Sequence, residues 1–76
     1  MNVRELIEAL SQFDPEMRVM VDGYDEGYHD VKPNNLHIVS VKLNRWPETT
    51  WNGPHDEARI WSGEKADCYA LVVSRQ

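Results

Sequence analysis

The sequence predicts an α+β domain: one N-terminal helix packed on a three- to four-stranded, mostly antiparallel sheet. Three observations carry this. Residues 2–13 place Val3, Leu6, Ile7, Leu10 and Phe13 at helical spacing, with polar side chains between them. Apolar residues then alternate with polar ones at 17–22 and again at 36–43. A last apolar run, Ala70 to Ser74, follows after several turn signals. Helix first and strands afterwards is the order of a two-layer α+β domain.

The helix has a start signal as well as a period. Asn2 can cap the N-terminus, with Glu5 three residues on as in a capping box and Met1 placed to staple onto Leu6. Asp14-Pro15 is expected to end it, because proline disfavours helical backbone in the residue before it. Met17, Val19 and Val21 form the buried face of a first strand, and Val39, Val41 and Leu43 that of a second. Ser40 and Lys42 turn outward, as does His37. Ala70 to Ser74 is apolar on both faces, which predicts a central position in the sheet. Ala58 to Trp61 reads as a short fourth strand, with Trp61 closing the open face of the sheet. The expected core is Leu6, Ile7, Leu10, Phe13, Val19, Val21, Val39, Val41, Leu71 and Val73.

Seventy-six residues make one domain, 1–76, and a chain of this size buries only about 60% of its unfolded surface. Its thin core leaves a sheet face for self-association, so a homodimer is expected. The apolar fraction of 41% against 28% charged residues separates it from disordered tails. The net charge of −5 argues against a phosphate-backbone binder, which needs a basic stripe. No apolar stretch approaches the ~20 residues of a membrane span. The single Cys68 lies in the run C-Y-A-L-V-V and reads as a small buried residue. One unpaired cysteine and no signal-peptide pattern predict a reducing, cytoplasmic setting.

Two segments stand apart from this scaffold. Residues 22–30, D-G-Y-D-E-G-Y-H-D, concentrate carboxylates without Lys or Arg. Tyr24, Tyr28, Asp25 and Glu26 are candidates for contact with a basic protein surface; the alternative is a solvated turn between strands. The second segment carries Trp46, Trp51 and Trp61 within a stretch of no clear period. Long aperiodic loops are usually functional or disordered, and tryptophan argues against disorder. Trp46 and Trp51, flanked by polar or turn residues, are candidate hot-spot residues. His55, beside Asp56 and Glu57, could serve as a general acid or base, or those acids could simply open a helical turn. Asp25, Glu26, His29 and Asp30 could gather around a divalent cation, although their spacing matches no EF-hand. His29, Asp30, His55 and Asp56 are the candidate ligands of a catalytic metal, although the chain has no H-E-x-x-H or C-x-x-C motif.

The chain also has a recognisable overall pattern. The helix V-R-E-L-I-E-A-L leads into F-D-P-E, G-Y-D-E-G-Y-H-D-V, V-K-L-N, W-N-G-P-H-D-E-A and A-L-V-V-S-R. It resembles a group of small uncharacterised proteins from bacteriophages and prophage-bearing bacterial genomes. The likeness covers nearly the whole chain, and its specific parts are G-Y-x-x-G-Y-x-D and G-P-H-D-E-A. Asn52 stands where such proteins often carry Tyr or a similar residue in W-N-G-P-H. The resemblance implies a small cytoplasmic accessory protein expressed by a phage in its host, and carries over no site residues. The resulting expectation is a non-enzymatic binding protein, such as an inhibitor of a host protein, with no cofactor. A small-ligand or nucleotide binder, its rings stacking on a base, is the second reading. A metal-dependent hydrolase is the third.

Overall fold

The computed structural model describes residues 1–47 and 51–75. Its elements run α1 (Val3–Leu10), β1 (Met20–Asp22), β2 (Tyr28–Asp30), β3 (Leu36–Lys42), β4 (Asp56–Glu57) and β5 (Cys68–Val73), with 3-10 turns at Pro33–Asn35 and Ile60–Ser62. The α+β class and the antiparallel pairing are those expected. The strands divide into two sheets, however: a β1–β2 hairpin, and a three-stranded sheet ordered β4-β3-β5. The chain forms two compact units, one of Met1–Asn35 with Val73–Gln76, the other Leu36–Val72.

In the first unit the capping box forms in full. The Asn2 side chain accepts from the Glu5 N–H at 2.9 Å, and Glu5 Oε1 accepts from the Asn2 N–H at 3.0 Å. Met1 stays exposed, so it makes no staple. The helix stops at Leu10, short of Asp14-Pro15. Gln12 and Phe13 already donate to the carbonyls three residues back, at 3.2 and 3.1 Å, the tightened geometry of a helix end. Asp14 forms its own turn, its Oδ1 accepting from the Glu16 N–H at 2.8 Å.

Residues 22–30, read from the sequence as a loop, are in fact half of a hairpin. Met20 faces Asp30, Val21 faces His29 and Asp22 faces Tyr28. The Gly23 N–H donates to the Gly27 carbonyl at 2.8 Å to close the connection. A Cβ at Gly23 would lie 2.5 Å from the Glu26 carbonyl oxygen, and Gly27 has φ +74, so both positions need glycine.

In the second unit β3 is the central strand. It pairs with β4 at Val41↔Glu57 and Lys42↔Asp56. Beyond β4, the Ala58 N–H donates to the Ser40 carbonyl at 2.8 Å. On the other side of β3 lies β5, which is therefore an edge strand and not the central one that its doubly apolar run predicts. Ala58 to Trp61 is not a strand; Ile60–Ser62 is a 3-10 turn closed by Gly63 at φ 89.

The expected core is the largest correction. Among the described residues only Val41 (7% exposed) and Ala58 are buried apolar side chains. Leu6, Val21 and Val39 are half-buried. Ile7, Leu10 (49% exposed), Phe13, Val19, Leu71 and Val73 are exposed, as is Cys68. In the first unit the reason lies in element length: β1 and β2 have three residues each and place one or two side chains on a face, too few to make the continuous apolar surface the helical stripe would need.

Burial therefore predicts an inverted pair of substitutions. Val41→Ala should destabilise by about 1–3 kcal/mol, as deletion from a packed site does. Leu10→Ala, at a half-exposed site, should cost about 1 kcal/mol or less. Urea melts of both variants check the order; a larger loss for Leu10→Ala would place the helix stripe in the core.

Candidate functional site

Among the described residues, one cation organises the exit from β3 and the return into β4. Asn44 enters the left-handed region at φ 55, which asparagine tolerates, and turns the chain out of β3. Arg45 then projects inward, its side chain only 17% exposed. Its guanidinium pairs with Glu64 through Nη2 and lies 3.2 Å from Asp56 Oδ2 through Nε. It also donates to the Glu57 carbonyl at 3.4 Å. The Nε contact with Asp56 is ionic, without the alignment of a hydrogen bond. Glu64 Oε1 accepts in turn from the Arg59 N–H at 2.8 Å. One side-chain cluster thus joins the exit of β3, strand β4 and the turn after it.

Two further contacts complete the frame. Asp67 Oδ2 accepts from the Leu43 N–H at 2.9 Å, with Lys42 Nζ 3.4 Å from Oδ1. His55 Nδ1 accepts from the Asn44 N–H at 3.1 Å, which leaves the proton of a neutral ring on Nε2. Neither Arg45, Glu64 nor Asp67 stands out in the sequence as a site residue. Each is a charge in a loop, and its side-chain partners of opposite charge lie 11 to 25 positions away.

The frame presents aromatic side chains outward. Trp51 is fully exposed, at 104% of its reference area, and Trp61 is 84% exposed, so Trp61 does not close the sheet. Trp46 is half-buried, its N–H donating to the Pro54 carbonyl at 3.1 Å. In the first unit Tyr24 (83% exposed) and Tyr28 stand out from the hairpin with Asp25 and Glu26 exposed beside them. The Arg75 guanidinium lies over the Tyr24 ring, 5.6 Å from its centroid, within cation–π range.

No protein-family model, curated protein or solved structure matches this chain.

Three of the four candidate ligands of a catalytic metal have other partners. His55 accepts from the Asn44 backbone, and Asp56 faces Arg45. In the hairpin Asp30 pairs with Arg18 at 3.6 Å. Among the described residues no three His, Cys, Asp or Glu side chains gather closely enough to hold a metal ion. His55 and Asp56 are thus parts of the loop frame. Among the described residues no helix is long and apolar enough to cross a membrane.

Electrostatics within the frame set a pH dependence. The Arg45 hydrogen bond, aided by the Arg59 N–H, holds the Glu64 carboxyl below its ordinary range. The Leu43 N–H, with Lys42, does the same for Asp67. Glu64 in turn keeps Arg45 firmly cationic. A carboxylate with a depressed folded pKa contributes stability that is complete above its unfolded value, about pH 4, and is lost as pH falls through the folded value. Stability measured by urea midpoint should therefore fall from pH 5 towards pH 2. The fall should be shallower in Glu64→Gln and in Asp67→Asn. An unchanged slope in both variants would remove these carboxylates from the frame.

Proposed function

We propose that this chain is a non-enzymatic binding protein, working as a phage-type accessory protein or inhibitor that engages a host protein with a basic surface. The observation that carries the reading is the placement of Trp51. It is fully exposed, and the described residues that flank its segment are joined by the Arg45 ion pairs and the Trp46 N–H to Pro54 carbonyl contact. Holding a large apolar ring in water has no folding benefit. A rigid aromatic ring needs little further ordering on binding, which is why such rings dominate interfaces. The exposed Tyr24 and Tyr28, with Asp25 and Glu26, supply the second element of the proposal. Carboxylates on a binding surface steer a basic partner and set its register. The metal-hydrolase reading has no comparable support, since Asp30, His55 and Asp56 of its proposed ligands are engaged in ion pairs or a backbone contact.

A second copy of the chain is proposed as a further partner. The α1 stripe of Val3, Ile7 and Leu10 is exposed. Leu10, Phe13, Pro15, Met17 and Val19 line an apolar groove that a self-complementary two-fold contact would cover.

Two measurements test these roles. With a partner captured from host lysate, Trp51→Ala should leave the melt within about 0.5 kcal/mol of the parent. It should weaken binding by about 2 kcal/mol or more. Replacing Asp25 and Glu26 by Asn and Gln should mainly slow association and flatten its salt dependence. A Trp51→Ala variant that loses its fold but not its partner would overturn the aromatic surface. Light scattering across a hundredfold dilution series should give a dimer mass at micromolar concentration, reduced by Ile7→Glu; a constant monomer mass would exclude self-association.

A further inference from the structure

The first unit contains a polar recess that the proposed interaction role does not use. Its volume is about 300 Å³, near the lower end for small-molecule sites. The lining residues are His29 and Asp30 of β2, Lys32, Asn34 and Asn35 of the following turn, and Arg75 after β5. The framework of this recess is built by Asn35, a buried polar residue at 5% exposure. Its side-chain Oδ1 accepts from the Lys32 N–H at 2.7 Å. Its own N–H donates to the Lys32 carbonyl at 2.8 Å, and its carbonyl accepts from the Ser74 N–H at 2.9 Å. One residue therefore fixes the turn that carries Lys32 and anchors the segment that carries Arg75.

The charges of this recess run against those of the chain. Asp30, its one carboxylate, is paired with Arg18 at 3.6 Å. Lys32 and Arg75 form no ion pair among the described residues. The Arg75 guanidinium rests on the Tyr24 ring, which restricts it while leaving its N–H groups available. Two cations, the amide of Asn34 and an imidazole thus converge on one cavity in a chain of net charge −5. Two positive charges match a phosphomonoester, which carries about −1.5 to −2 near pH 7. A guanidinium fork and a lysine point charge are complementary ways of holding phosphate oxygens.

We propose that the recess lined by His29, Lys32, Asn34 and Arg75 is a binding site for the phosphate group of a small phosphomonoester. Arg75 receives two of the oxygens in its fork, Lys32 neutralises the remaining charge, and the Asn34 amide donates at the rim. Arg18 acts through Asp30, keeping that carboxylate from repelling the ligand. The recess adjoins the proposed aromatic surface only through the Arg75–Tyr24 contact and does not rest on the protein-binding role.

The test is an amide NMR titration of the full chain with inorganic phosphate, against sodium chloride and sodium acetate at equal ionic strength. Phosphate should give saturable shifts at His29, Lys32, Asn34, Asn35 and Arg75. Lys32→Met and Arg75→Gln should each weaken binding at least tenfold, and Arg18→Gln severalfold, while Lys65→Met leaves it unchanged. Arg75 lies outside every strand, so its variant keeps the test usable if the Lys32 variant unfolds. Shifts linear in concentration, or equal to those in chloride, would overturn the site. Equal saturation by acetate would overturn the assignment to phosphate, and undiminished binding in Arg75→Gln would overturn the role of the guanidinium.

Discussion

The constraint on this chain is how little apolar surface it buries. With Val41 and Ala58 as the buried apolar side chains among the described residues, the hydrophobic term contributes less than in a larger domain. Position has to come from directional contacts. The capping box starts α1, the Gly23–Gly27 connection closes the hairpin, and Asn35 anchors the turn before β3. Arg45 and Asp67 then hold the loop that β3 leads into. Each is local or joins one loop to one strand. Each is also partly exposed except at Asn35, where a lost partner would leave a polar group shut from water, so its removal carries the greatest cost.

The same constraint shapes what the surface offers. Side chains that would fill a larger core remain outside: Ile7, Leu10 and Phe13 in the first unit, Trp51 and Trp61 in the second. Ile7 and Leu10 are set on a capped helix and Trp61 on a 3-10 turn, so a partner would meet these side chains on regular backbone. Charge is divided in the same way. The carboxylates near Tyr24 face solvent, those around Arg45 are neutralised within the fold, and Lys32 and Arg75 gather where the acids are already paired. A net charge of −5 therefore describes no single surface of the protein.

How much was legible in the sequence follows from the range of each interaction. The helix, its capping box, β3 and the antiparallel α+β class were readable because each rests on neighbours within a few residues or on a period. The hairpin at 20–30 was missed because its β2 strand, Tyr28-His29-Asp30, lacks an apolar alternation. Glycine at 23 and 27 was a signal for it, read only as a breaker. Trp51, Tyr24 and Tyr28 are exposed rings, as their polar and turn neighbours suggest, whereas Trp61 beside Ile60 has the sequence of a strand but lies in an exposed 3-10 turn. Arg45, Glu64 and Asp67 left no trace, since an ion pair between distant loops has no period.

By itself the sequence determined the start of α1, the existence and direction of β3, the clustering of tryptophans and the acidic character of residues 22–30. Those properties depend on local backbone preference and composition. The tertiary structure alone decided that β5 lies at an edge, that Leu10 and Cys68 are exposed, that His55 serves a backbone amide, and that Lys32 and Arg75 share one recess. Burial and charge pairing depend on which segments meet, and in a chain whose strands are two to seven residues long the hydrophobic pattern is too short to specify that meeting.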